Sequence, residues 1–247
     1  MTKRVFFFIA LSLSLLLGAV SAQASEGGGE LMSAHVSLKD KASLQRGARL
    51  YFNYCSGCHS LHFMRYSRMA EDLGLTEKEV MNNLNFTGAK FQGHAIAAMP
   101  EADAAKWFGK APPDLSLKVA EKGSDYVYSY LNSFYLDPER PVGWNNTVFP
   151  NASMPNPLWE LQGLQVAEKG KAADGSEIVT GLKLEQPGRM SPEQFHAATR
   201  DLTAFLTYVS EPAALKRESM GIWVLLYLAA FTFLAYLLKH EYWKDVH

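Results

Sequence analysis

Both cysteines of this 247-residue chain fall within one pentapeptide, Cys55-Ser56-Gly57-Cys58-His59. With no cysteine elsewhere to form a crosslink, the fold must be held by an apolar core and by whatever the motif binds. C-x-x-C-H is the spacing of c-type haem attachment. Two thiols three residues apart can add across the two vinyl groups of one porphyrin, and His59 then lies under the iron as the proximal ligand. Other readings fit less well. A structural zinc site needs four ligands. A thioredoxin-like pair belongs in a βαβ setting, and no strand pattern surrounds this one. A disulfide closing so small a loop stabilises little. The motif points to one covalently attached haem c.

The two ends say where such a chain works. Lys3 and Arg4 precede an apolar run over residues 5–20, and Ala22-Gln23-Ala24 supplies a small-x-small cleavage site. Residues 1–24 read as a secretory signal removed before Ser25. Near the other end, residues 221–238 carry no charge. Eighteen helical residues reach about 27 Å, enough to cross a hydrocarbon core. Trp223, Tyr236, Tyr242 and Trp243 mark its interfaces. The expected organisation is an exported haem domain (25–213), an anchor helix (214–240) and a short cytoplasmic tail (241–247). That makes a single-pass protein of the inner membrane with its haem domain in the periplasm. The exported body is mildly acidic and has no basic run, which favours a basic protein partner and argues against nucleic acid.

Within the body, residues 40–54 read as a helix leading into the motif, with Leu44, Ala48, Tyr51, Phe52 and Cys55 on one face. Gly47 within it is unfavourable unless another backbone packs close by. A second helix is expected after Ser191, which can cap it, with Pro192 at its first position and Gln194 completing a capping box. Its apolar face is Phe195, Ala198, Leu202, Phe205 and Val209. The middle, residues 88–188, is rich in proline, glycine and aromatics and reads mostly as loop, with a helix over 124–134.

The sixth iron ligand decides the chemistry. An open position permits ligand binding, whereas a methionine thioether closes the site and suits electron transfer. Among the body's methionines, Met190 stands just ahead of the capped final helix and is the expected ligand. Met154, in Ser153-Met154-Pro155-Asn156-Pro157, is the runner-up, because its prolines would hold a loop rigid beside a porphyrin. His62 and His94 are weaker candidates. Pro112 and Pro113 can present an apolar wall without unpaired N–H groups. Arg140 and Trp144 can donate to a haem propionate. Glu71, Asp72, Glu77 and Glu79 could face a basic partner, or simply form a solvated helix face.

Several stretches, in order, resemble the cytochrome c1 family of proteobacterial type. They are C-S-G-C-H-S-L-H-F-M-R-Y (55–66), A-P-P-D-L-S (111–116), G-W-N-N (143–146), F-P-N (149–151), M-P (154–155) with L-W-E (158–160), and D-L-T-A-F-L-T-Y (201–208) before Glu211-Pro212. With the C-terminal anchor they cover nearly the whole mature chain. The resemblance implies a mainly α, class I cytochrome c-like haem domain with long loop insertions plus one transmembrane helix. It implies Cys55 and Cys58 as thioether sites, His59 and Met190 as axial ligands, and Pro112 and Pro113 beside the haem. It further implies an electron carrier, not an enzyme by itself, in the ubiquinol–cytochrome c oxidoreductase (bc1) complex. The donor is then the Rieske iron–sulfur protein, the acceptor a cytochrome c, the membrane partner cytochrome b, and the assembly dimeric. The alternative is an independent membrane-anchored monohaem cytochrome serving a terminal oxidase or reductase.

Overall fold

The computed structural model describes residues 31–171, 175 and 177–245; the signal segment expected at 1–24 lies outside the described residues. Helix α1 (Lys41–Tyr54) begins where the Asp40 side chain accepts from the Ser43 N–H at 3.0 Å. Helix α8 (Pro192–Ser210) begins at the capping box read from the sequence, with Ser191 and Gln194 each accepting from the other's backbone N–H.

These two helices cross, and the crossing organises the core. Its fully buried side chains include Leu44 and Tyr51 from α1 and Leu202, Phe205 and Tyr208 from α8. Gly47 sits at the contact point. A Cβ there would lie 2.1 Å from the Asp201 carbonyl oxygen and 2.7 Å from the Phe205 Cβ. Glycine thus lowers helix propensity but permits an approach no side chain allows. The Asp201 carboxylate, on α8, accepts from Ser43 Oγ at 2.5 Å and from Arg46 Nε at 2.6 Å. Edge-on and tilted rings of Tyr51, Phe52, Phe205 and Tyr66 extend the core toward the haem motif.

After the motif come strand β1 (Leu61–Arg65), helix α2 (Tyr66–Leu73), helix α3 (Glu77–Asn83), strand β2 (His94–Ala95) paired antiparallel to β1, and helix α4 (Glu101–Phe108). Helices α5 (Lys118–Lys122) and α6 (Ser124–Asn132) follow. On α6, Tyr128 and Asn132 face α8, through the Tyr128 hydroxyl to His196 Nδ1 at 3.1 Å and Asn132 Nδ2 to Thr199 Oγ1 at 3.0 Å. Tyr126 and Tyr130, two residues out of phase with that face, stack on each other on another side of the helix.

The middle of the chain departs from the loop-rich expectation. A four-stranded sheet of order β4-β3-β5-β6 occupies it. Its strands are β3 (Phe134–Leu136), β4 (Trp144–Asn146), β5 (Gly163–Lys171) and β6 (Glu177–Pro187), and the short helix α7 (Trp159–Gln162) leads into β5. The expected helix over 124–134 ends at Asn132, where Asn132 Nδ2 and Ser133 Oγ donate back to carbonyls of the preceding turn. The long β5–β6 hairpin had a legible signal: Leu182 and Leu184 alternate with Lys183 and Glu185, and Asp174-Gly175 favours a tight turn. The fold is therefore helical at its core, with a sheet grafted onto its middle.

The last element, α9 (Ala214–Trp243), is a single helix. Its segment Met220–Trp243 has mean hydropathy 2.1, none of it is buried against the body, and it is long and apolar enough to cross a membrane.

Filling the helix crossing should destabilise the domain. Gly47→Ala is expected to cost about 1–3 kcal/mol, read as a lower denaturant midpoint by far-ultraviolet circular dichroism, with Gly47→Val worse.

Candidate haem site

The C-terminus of α1 delivers both thiols. Cys55 is the helix C-cap, and one further turn is closed by the Cys58 and His59 N–H groups, which donate to the Cys55 carbonyl at 3.1 and 2.9 Å. Both cysteines are free. Cys55 is buried, and loss of solvent, reinforced by the neighbouring Cys58, pushes its thiol up to about 12. Burial raises Cys58 as well. At neutral pH both are therefore protonated thiols.

His59 is buried, and desolvation lowers its pKa against the opposing pull of the Pro113 carbonyl. Its Nδ1 lies 2.7 Å from that carbonyl oxygen. A carbonyl only accepts, so the neutral ring carries its proton on Nδ1 and keeps the Nε2 lone pair free. That tautomer fits an iron ligand, and the carbonyl orients the ring and raises its basicity. The Tyr51 hydroxyl donates to the His59 carbonyl at 2.5 Å, tying the motif to the helix crossing.

The Pro112-Pro113 segment is itself fastened to the motif strand. Leu115 N–H donates to the Ser60 carbonyl at 3.0 Å. The Asp114 Oδ2 receives both the His62 N–H and the His62 Nδ1 at 2.8 Å, and Oδ1 receives the Ser116 N–H at 2.8 Å. Ser116 Oγ in turn accepts from Phe63 N–H at 3.1 Å. Partial burial works to raise the Asp114 carboxyl, but these hydrogen bonds outweigh it and hold the group below its ordinary range. His62, weighed as an iron ligand, is thereby committed to Asp114. Sequence reasoning missed Asp114; the x-Asp-x-Ser pattern after two prolines is the signal that marks such a turn.

The methionines separate by environment. Met64 and Met69 are sealed in the core. Met190 is half-buried and packs against the apolar core; its N–H donates to the Leu161 carbonyl at 3.1 Å, and Arg189 N–H donates to that of Glu160 at 2.9 Å. Met154 sits in a loop clamped on both sides. Asn145 Oδ1 accepts from Asn151 N–H at 2.8 Å and Asn146 Oδ1 from Val148 N–H at 2.9 Å. On the other side, Asn156 Oδ1 accepts from Leu158 N–H at 2.9 Å and Asn156 Nδ2 donates to Gln162 Oε1 at 2.6 Å. The Tyr130 hydroxyl donates to the Met154 sulfur at 3.5 Å.

Arg140 donates through a terminal nitrogen to the Asn151 carbonyl at 3.1 Å, while its Nε is buried without a partner among the described residues. An unpaired buried guanidinium N–H is the kind of donor a haem carboxylate satisfies. Trp144 is half-buried at the start of β4. The acidic cluster reads differently in three dimensions. Asp72 is buried, bound by Arg68 and Tyr208, and Glu79 belongs to the α3 capping box with Thr76. Only Glu71 and Glu77 remain as open surface charges.

Two thiols one turn apart, a neutral histidine with one ring nitrogen free, and a span-length apolar helix define a class, the membrane-anchored c-type cytochromes. The family model described as the cytochrome C1 family matches residues 32–246, and the chain belongs to that family. It is 49% identical to cytochrome c1 of Allochromatium vinosum over 97% of this chain and 99% of the relative. It is 40% identical to a protein of Nitrosomonas europaea named ammonia monooxygenase gamma subunit, over 96% of this chain and 97% of that one. It is 26% identical to cytochrome b/c1 of Bradyrhizobium diazoefficiens over 84% of this chain, which spans 34% of that longer protein. Membership carries haem c and electron transport in a respiratory chain, and the apolar C-terminal helix agrees with a membrane anchor.

Asp114→Ala should loosen the Pro113 carbonyl from His59 and remove a negative charge near the iron. Both favour the ferrous state, so the midpoint potential should rise. A lost hydrogen bond of about 1 kcal/mol corresponds to roughly 40 mV for one electron, measurable by spectroelectrochemical titration.

Proposed function

We propose that this chain is the haem-bearing electron-transfer subunit of a cytochrome bc1 complex, taking one electron at a time from the Rieske iron–sulfur protein and passing it to a cytochrome c. Its membrane partner is cytochrome b, and the assembly is a dimer of complexes. The observation that carries this reading is the buried, neutral His59, oriented by Pro113 directly after two protonated thiols, in a chain that matches the cytochrome c1 family over nearly its whole length. By itself the chain performs no catalysis.

Bound haem c supplies a one-electron ferric/ferrous couple. The protein's part is to hold it. Cys55 and Cys58 would form the thioethers, and His59 would bind the iron through Nε2. Pro112 and Pro113 would wall the ring without exposing donors. Arg140 Nε, buried without a partner among the described residues, and the half-buried Trp144 would donate to a propionate. The crossing of α1 and α8 at a glycine, immediately before the motif, supports a class I cytochrome c-like haem domain.

For the sixth ligand the geometry favours Met154 over the expected Met190. The Met154 loop is fixed at both ends by buried asparagines, as a ligand loop must be to hold a weak thioether on iron. Its sulfur is held in place by the hydrogen bond from the Tyr130 hydroxyl. Tyr130 itself is held, since Asn146 Nδ2 donates to its carbonyl at 2.8 Å. Met190 instead closes the base of the β5–β6 hairpin against α7.

The domain division proposed is a signal at 1–24, a periplasmic haem domain over 25–213, an anchor over 214–240 and a cytoplasmic tail over 241–247, set in the inner membrane. Purification from membranes tests the assembly. Cytochrome b and a Rieske protein should accompany the chain. Isolation alone supports the independent monohaem cytochrome, and isolation with monooxygenase subunits points to the assembly named for the Nitrosomonas relative.

Met154→Leu should lower the potential and let carbon monoxide bind the reduced protein on mixing, while Met190→Leu leaves the methionine–iron charge-transfer band intact. The reverse pattern assigns the ligand to Met190.

A further inference from the structure

Three methionine sulfurs among the described residues accept a hydrogen bond, and they differ in where the donor comes from. Met81 accepts from Asn85 Nδ2 at 3.7 Å, one turn further along the chain. Met64 accepts from the Tyr208 hydroxyl at 3.8 Å inside the sealed core. Met154 takes the shortest of the three, 3.5 Å from the Tyr130 hydroxyl, which reaches it from a separate element, α6.

Donor and acceptor are fixed by one fully buried side chain, Asn146. Its Nδ2 donates to the Tyr130 carbonyl at 2.8 Å. Its Oδ1 accepts from Val148 N–H at 2.9 Å and from Phe149 N–H at 3.1 Å, at the head of the Met154 loop. The Tyr130 ring is held on two further sides, stacked on Tyr126 with centroids 6.4 Å apart and T-shaped against Phe134 at 5.0 Å. The asparagines already close the loop at both ends, so the further effect of the hydroxyl falls on the sulfur itself.

A thioether sulfur has two lone pairs, so it can accept a hydrogen bond through one and bind a metal through the other. Density drawn toward a hydrogen-bond donor is density withheld from the metal. Ferric iron depends on that donation more than ferrous iron does, so the hydrogen bond disfavours the oxidised state.

We propose that the Tyr130 hydroxyl raises the midpoint potential of the site by hydrogen-bonding the sulfur of its axial methionine, Met154. This rests on the reading of Met154 as the sixth ligand and goes beyond it. Tyr130 is a positioning residue that acts on the iron only through that sulfur.

The test is a double-mutant cycle on the full-length protein, purified with whatever subunits accompany it. It is read by spectroelectrochemical titration and by the methionine–iron charge-transfer band of the ferric form. Tyr130→Phe keeps the ring with its aromatic contacts and removes the donor. It should keep the band and lower the ferrous-to-ferric ratio at a fixed ambient potential about fivefold, roughly 40 mV for one electron. In the Met154→Leu background the same change should produce no further shift. Tyr128→Phe, which removes a hydroxyl from another side of α6, where it meets His196, should leave the potential unmoved. Should Tyr130→Phe fail to fold, replacement of Tyr130 by 3-fluorotyrosine, a stronger donor of nearly the same size, must raise the potential in mildly acidic buffer. Retention of the band in Met154→Leu overturns the ligand assignment and the proposal with it. Loss of the band in Met154→Leu, with an unmoved potential in Tyr130→Phe, overturns the proposal alone. So does an equal shift with and without Met154, which reduces the tyrosine to packing, or loss of the band in Tyr130→Phe, which makes the hydroxyl a mechanical support.

Discussion

The approach of α8 to Gly47 is the contact on which the rest of the domain depends. At that point two helices touch backbone to backbone, with the Asp201 carbonyl where a Cβ would otherwise stand. Eight residues further along α1 come the thiols. The tyrosine between, Tyr51, both packs against Phe205 and donates to the His59 carbonyl. The position of the histidine is therefore set by the core and not by the motif alone. Asp201 reinforces the crossing through Ser43 and Arg46, with the arginine half-exposed, so its contribution is more orientation than energy.

Around that helical centre the loops are held by polar side chains. Asn145, Asn146 and Asp114 each accept two or more backbone or ring N–H groups, Asn156 accepts one and donates to Gln162, and the three asparagines are buried. A loop of prolines and glycines offers too little apolar surface to collapse on its own. Buried amides instead satisfy its backbone and give it one geometry. The result is a set of middle loops each held in one geometry by buried hydrogen bonds.

Local features wrote themselves plainly into the amino acids. The C-x-x-C-H motif, the Ser191 cap and the apolar span each depend on residues within a few positions of one another, and each stands where the residues placed it. The middle was harder to read. The β5–β6 hairpin carries period-two alternation over only part of one strand, and the three-residue strands β3 and β4 are too short to show a period. Met154 and Met190 also could not be ranked by local reading, since what separates them is their surroundings, a loop held by asparagines for one and the base of the β5–β6 hairpin for the other. Likewise Asp72 reads as a surface charge until Arg68 and Tyr208 close over it. Composition and spacing determined which chemistry the chain carries, because thiols, imidazole and apolar runs act through bonds and distances that are short along the chain. Tertiary structure decided the tautomer of His59, the hydrogen bonds around Asp114 and the burial of Asp72, because each arises from groups that meet only when α1, α8 and the long middle loops pack together.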